Sequence, residues 1–170
     1  DYFIKLLKEN NFEVKIDSIG NIFGLITFNK ENEFILSGSH IDSQPNGGNF
    51  DGILGVLNAF IVIKELVNTF KKKGLRSKYN LAIVSWTNEE GARFQPSILG
   101  SSVYTGKIDI NDAYKIIDSN RISVKDSLLE INYLGKDSFD KPAQYIETHV
   151  ECGRILENNE NQIGIINNYW

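Results

Sequence analysis

The two histidines of this chain both stand among acids. His40 is followed two positions on by Asp42, and His149 lies in Glu147-Thr148-His149-Val150-Glu151. Asp51, in Asn49-Phe50-Asp51-Gly52, and the adjacent pair Glu89-Glu90 add three more carboxylates. Imidazole nitrogen and carboxylate oxygen are the donors that zinc and manganese take. Each pattern alone has an ordinary explanation: a surface His-x-Asp, an aspartate N-cap, a solvated acidic turn, a histidine satisfied at a sheet edge. Together they point to metal chemistry. Residues two apart on an extended segment share a face, so Asp42 is expected to accept a hydrogen bond from the His40 ring nitrogen not given to a cation. That contact fixes the tautomer. Glu147 and Glu151 flank His149 in the same way. Asp51 has two oxygens and can bridge cations roughly 3.5–4 Å apart. Two adjacent carboxylates after an apolar strand repel each other and lose solvation, penalties that a cation relieves. One of them can ligate while the other acts as general base.

Other chemistries are less well supported. No Gly-x-Ser-x-Gly elbow occurs, and no Gly-Lys-Ser/Thr follows Gly47-Gly48, so that loop is not a phosphate cradle. Cys152 lies three residues after His149, which makes a thiol nucleophile with a histidine base the weaker alternative; a free cysteine is more often a buried structural residue.

The elements that must position these groups alternate along the chain. Residues 2–10 show helical spacing of Phe3, Leu6 and Leu7. Residues 22–28 and 34–36 read as strands, the second running into His40. Residues 44–49 can only be a loop. Asp51-Gly52 opens a helix that keeps its apolar period to about Phe70. Residues 81–86 form an apolar run suited to a buried central strand that ends at Glu89-Glu90. Helices are expected over 111–117 and 124–133, and strands over 145–150 and 163–166. The resulting fold class is α/β with a mainly parallel sheet flanked by helices, and the candidate donors all fall at strand ends, where such sheets bind ligands.

Composition is consistent with this. The chain has 170 residues, 41% hydrophobic and 24% charged, with net charge -4, enough for one domain with a real core. The one basic run, Lys71-Lys72-Lys73, suits a helix C-terminus, and without a basic patch no nucleic-acid partner is expected. No apolar run reads as long enough to span a bilayer, so no membrane partner is expected either. A single cysteine excludes an intrachain disulfide and fits a reducing, cytoplasmic compartment.

Joined in order, these segments resemble a known family. Gly38-Ser39-His40-Ile41-Asp42-Ser43-Gln44-Pro45-Asn46-Gly47-Gly48-Asn49-Phe50-Asp51-Gly52, Trp86-Thr87-Asn88-Glu89-Glu90-Gly91-Ala92-Arg93-Phe94 and Tyr145-Ile146-Glu147-Thr148-His149-Val150-Glu151-Cys152-Gly153 are similar to the three metal motifs of the M20 metallohydrolases, in the amidase/hydantoinase/carbamoylase branch. The resemblance implies a zinc-exopeptidase-like fold and hydrolysis of non-peptide C–N bonds in N-carbamoyl amino acids, allantoate or related ureido and amide substrates. It implies two divalent ions, zinc or manganese. His40, Asp51 and His149 would hold one ion, with Asp51 bridging to a second that Glu90 also binds. Glu89 would be the general base and Asp42 would orient His40. A homodimer is the family's assembly. An exopeptidase with the same metals is the nearest alternative, and a catalytically silent truncated product is the other.

Two departures stand out. The family's third motif carries glutamine where this chain has Cys152. The family's second ion also takes a histidine from far downstream, and a lid domain supplies substrate contacts and the dimer interface. Residues 1–170 are therefore expected to be a partial metal-binding catalytic domain, truncated before the lid and inactive in isolation.

Overall fold

The computed structural model describes residues 1–166. Along the chain come α1 (Tyr2–Glu9), β1 (Glu13–Ile16), β2 (Ile22–Ile26), β3 (Phe34–His40), α2 (Ile53–Lys73), β4 (Asn80–Trp86), α3 (Leu99–Tyr104), α4 (Ile110–Lys115), α5 (Val124–Glu130), β5 (Gln144–Ile146) and α6 (Ile155–Asn158). The strands form one sheet in the order β1-β2-β4-β3-β5.

β4 is buried along its whole length, as its apolar run requires of a strand covered on both faces. Its side chains alternate between two cores. Leu81 and Ile83 join Phe3, Leu7, Val56, Phe60 and Ile63 beneath α1 and α2. Ala82, Val84 and Trp86 join Phe23, Leu25, Leu36 and Phe139 on the other face. α2 is the crossover between β3 and β4, which run parallel; parallel neighbours cannot be joined by a tight turn. The helix closes with Gly74 at φ 61, and Lys71, Lys72 and Lys73 fill its last turn, a favourable place for cations.

The α/β class holds, but the sheet is mixed rather than mainly parallel. β3 pairs in parallel with β4 and β5, whereas β2 is antiparallel to both β1 and β4. The parallel half is the half that carries the candidate donors. The strand expected over 145–150 ends at Ile146, and the one expected over 163–166 does not form. β5 pairs with β3 over three residues and has no strand on its outer side among those described, so nothing extends the ladder further.

The expectation that no segment could cross a membrane needs correction. By length and composition alone, α2 is long and apolar enough. Lys64 and Glu65 interrupt its apolar run, which hides it from a count of consecutive residues. Gly55, Val56, Ala59, Phe60 and Ile63 are buried against the sheet.

Candidate metal centre

His40 is the last residue of β3, 1% exposed, with its main chain held beside Trp86 of β4. Its Nδ1 lies 3.0 Å from the carbonyl oxygen of Asp42. A carbonyl only accepts, so Nδ1 carries the proton and Nε2 is the free position of the neutral ring. Nε2 lies 3.7 Å from Asp51 Oδ1 and 3.3 Å from Glu89 Oε2. His149 repeats the arrangement from the other side. Its Nδ1 lies 2.8 Å from the Val150 carbonyl, and its Nε2 lies 3.3 Å from Asp51 Oδ1. The rings are 5.7 Å apart.

Asp51 Oδ1 thus faces the open nitrogens of both histidines. His40 Nε2 and Asp51 Oδ1 are buried with no hydrogen-bond partner, a costly state for polar atoms. A divalent cation resolves it. A tetrahedral ion with bonds of 2.0–2.2 Å separates its nitrogen and oxygen donors by about 3.3–3.5 Å, close to the spacings seen. Among the described residues, His40, Asp51 and His149 are one group able to hold a metal ion, with all ligand atoms within 4.8 Å of one another.

Local sequence explains the placement. Asp51 does not cap α2. The N-cap is Gly52, and no side chain caps the helix, so the carboxylate is left free. Gly52 sits at φ +67, and a Cβ there would lie 2.4 Å from the His40 ring. Only glycine permits both the left-handed backbone and this approach. Gly55, one turn on, lets the Thr148 carbonyl come within 2.3 Å of a would-be Cβ, which brings the His149 segment against α2.

The expected buttressing differs in detail. Asp42 meets His40 mainly through its carbonyl; its carboxylate is 3.6 Å from Nδ1. That carboxylate instead accepts from the backbone N–H groups of Glu89, at 3.3 Å, and Glu90, at 3.1 Å. It clamps the acidic turn to the end of β3. Glu151 does not support His149 either. Its oxygens accept from Ile155 and Leu156 N–H at the start of α6, both at 3.0 Å. Period-two alternation cannot aim Glu151 at His149, because the strand stopped at Ile146. Glu147 is taken up by Ser39 Oγ at 2.5 Å and Tyr145 OH at 2.7 Å.

Glu89 and Glu90 diverge. Glu89 faces His40, whereas Glu90 lies outside the three-residue group and accepts from Gln44 Nε2 at its Oε2, 3.1 Å away, and at its carbonyl, 2.9 Å away. The sequence reading passed over Gln44, and over Asn21 as well. Asn21 is fully buried; it accepts from Thr87 N–H and donates to the Gly100 carbonyl. It therefore fixes the turn that leads into Glu89.

The electrostatics follow from this crowding. Burial alone would lower the His40 pKa, but hydrogen bonding to Asp42 and the charges of Glu89 and Asp42 outweigh it and hold it at about 9. Burial pushes Glu89 up; the His40 charge opposes this, and Asp42 and Glu90 reinforce it. Burial would also raise Asp42, but hydrogen bonds from His40, Glu90 and Glu89 bring it below the usual carboxylate range. The Cys152 thiol is pushed up by partial burial and by its acidic neighbours, Asp51 first.

Fold and donors define an α/β domain with a metal-type cluster at the ends of its parallel strands. The chain belongs to peptidase family M28, whose family model matches residues 21–167. It is 42% identical over 131 residues to an N-carbamoyl-L-amino-acid amidohydrolase of Rhizobium meliloti, covering 76% of this chain and 30% of that protein. It is 34% identical over 160 residues to the allantoate amidohydrolase of Bacillus subtilis (strain 168), covering 91% and 38%. A hydantoinase/carbamoylase family amidase from Burkholderia ambifaria superposes with TM-score 0.85 at 36% identity, covering 94% of this chain and 39% of that one. The matching family model is thus M28 where the motifs resembled M20, and these relatives carry the carbamoylase-branch names that the motifs indicated. The chain spans roughly two fifths or less of their length.

Proposed function

We propose that this chain is the metal-binding part of an amidohydrolase acting on non-peptide C–N bonds of N-carbamoyl amino acids, allantoate or a related ureido or amide substrate. The observation that carries the reading is Asp51 Oδ1, buried and unpartnered between the Nε2 atoms of His40 and His149. The names of the relatives indicate the substrate class. His40, Asp51 and His149 would hold one divalent ion, and Asp51 with Glu90 a second, as zinc or manganese. Bound there, such ions polarise a scissile carbonyl and acidify a water. Glu89 is the general base. Burial raises its pKa, the direction that makes a carboxylate a better proton acceptor. Asp42 is a positioning residue: its carbonyl sets the His40 tautomer and its carboxylate holds the Glu89-Glu90 turn. A lid and dimer interface would belong to the part of the relatives that this chain does not span.

The peptidase description of the family model favours a second reading, an exopeptidase with the same centre. Both are tested in a protein of full family length carrying this sequence. Ammonia release from N-carbamoyl amino acids or allantoate, with dipeptides left intact, supports the amidohydrolase; the reverse pattern overturns it. Glu89→Gln should keep bound metal and lose about 10²–10⁴-fold in turnover. Metal lost along with activity would make Glu89 a ligand.

A further inference from the structure

The backbone ladder between β3 and β5 ends at Ser37 and Ile146, while β3 itself runs on to His40. Side chains carry the contact from there. Tyr145 OH lies 3.3 Å from the Gly38 carbonyl oxygen. One residue further along β3, the carboxylate of Glu147 meets Ser39: Oε1 accepts from Ser39 Oγ at 2.5 Å, and Oε2 accepts from Tyr145 OH at 2.7 Å. Behind Tyr145, Trp86 donates its Nε1–H to the same hydroxyl at 2.8 Å. Trp86, Tyr145, Glu147 and Ser39 thus form one run of hydrogen bonds that ties β5 to β4 and β3.

An exposed carboxylate is ordinarily held by water alone, and Glu147 is exposed. What grips it is not. Ser39 is fully buried, and the Tyr145 hydroxyl is engaged on its far side by the buried Trp86. A buried hydroxyl that loses its acceptor is penalised, so the fold keeps Glu147 turned towards β3. The next two residues follow from that. The Thr148 carbonyl meets α2 at Gly55, and His149 Nε2 arrives 3.3 Å from Asp51 Oδ1.

We propose that Glu147 is a positioning residue for His149. Its carboxylate continues the β3–β5 contact past the last backbone pair and sets where the His149 ring stands relative to Asp51 and His40. Both of its oxygens are taken by Ser39 and Tyr145, so it acts on the site through the chain leading to His149 and not as a ligand. Glutamine can stand in for it. The amide oxygen accepts from Ser39, the amide nitrogen donates to Tyr145 OH, and Tyr145 turns its own hydrogen to the Gly38 carbonyl. Alanine can do none of this.

The metal part of this rests on the centre proposed above, so the test has one arm with zinc and one without. The purified chain is compared with Glu147→Ala and Glu147→Gln. In the metal-free chain, the nuclear Overhauser contact between the protons of the two histidine rings, whose centroids are 5.7 Å apart, reports the position of His149 directly. That contact should be lost in Glu147→Ala and kept in Glu147→Gln. Zinc affinity should fall in Glu147→Ala by the roughly 10–100-fold typical of residues that orient a ligand, and should stay near the native value in Glu147→Gln. Circular dichroism checks that each variant is folded. Should Glu147→Ala not fold, Tyr145→Phe, which removes one of the two grips, should weaken the ring contact and zinc affinity in the same direction. Ring contact and zinc affinity both unchanged in the folded alanine variant overturn the role of Glu147 and leave the metal centre standing. A loss in Glu147→Gln as large as in Glu147→Ala also overturns it, since the hydrogen bonds would then not be what holds His149. No zinc binding by the native chain overturns the metal centre, and the ring contact still decides whether Glu147 places His149.

Discussion

The two histidines present the same face to Asp51 from very different supports. His40 ends a seven-residue strand paired on both sides, and its side chain is 1% exposed. His149 follows a three-residue edge strand, and its side chain is 39% exposed. Each fixes its tautomer with the cheapest available acceptor, a backbone carbonyl one or two residues on. The candidate site is therefore pre-organised unevenly. The core builds the His40 half, with Gly52 and Asp42 packed around the ring. The His149 half is carried by a short strand and one close approach to α2, so it holds its place with less support from the fold.

Two glycines probe that contrast most strongly. Gly52→Ala puts a Cβ 2.4 Å from the His40 ring at φ +67, so overpacking and backbone strain add to about 4 kcal/mol. Gly153, on the His149 side, has nothing nearer than 3.5 Å to a would-be Cβ and no left-handed backbone. Gly153→Ala should stay within about 0.5 kcal/mol of the parent. Urea denaturation of both variants checks this, and equal losses would contradict the asymmetry.

A pH titration sharpens it. The His40 pKa is raised to about 9 in the metal-free chain, against about 6.5 for a free imidazole. A raised folded pKa means that the folded state holds the proton more tightly. The stabilisation is complete below about pH 6.5 and is lost as pH rises through about 9, by at most about 3 kcal/mol. Denaturation midpoints of the native chain and of His40→Ala between these pH values decide it: the slope should be present in the native chain and vanish in the variant.

Much of the centre was legible because donor type and strand-end position are local properties. His40, Asp51 and His149 come together from their places after β3 and β5, and Glu89 faces them from the turn after β4, whereas Glu90, expected to converge with the histidines and Asp51, lies outside the group. What escaped was contact between segments. The carboxylate of Asp42 grips amides 47 and 48 residues away, and Gln44 holds Glu90 across 46; no spacing rule encodes either. β1 was missed because Glu13-Val14-Lys15-Ile16 is a short, half-exposed edge strand whose partner β2 fixes it. β5 was drawn too long because Ile146, Thr148 and Val150 keep the alternation after pairing with β3 has ended. Asp51 read equally well as a helix cap, and only the structure shows the cap at Gly52 with the carboxylate left over.

His40, Asp51 and His149 should form a cation site although their supports differ. Zinc binding to the dialysed, purified chain, measured by calorimetry and metal analysis alongside His40→Ala and His149→Ala at one pH, tests it most directly. The native chain should hold at least one zinc tightly and both variants should lose that equivalent, with His149→Ala still folded. Tight zinc binding that survives His149→Ala, or no binding by the native chain, would contradict it.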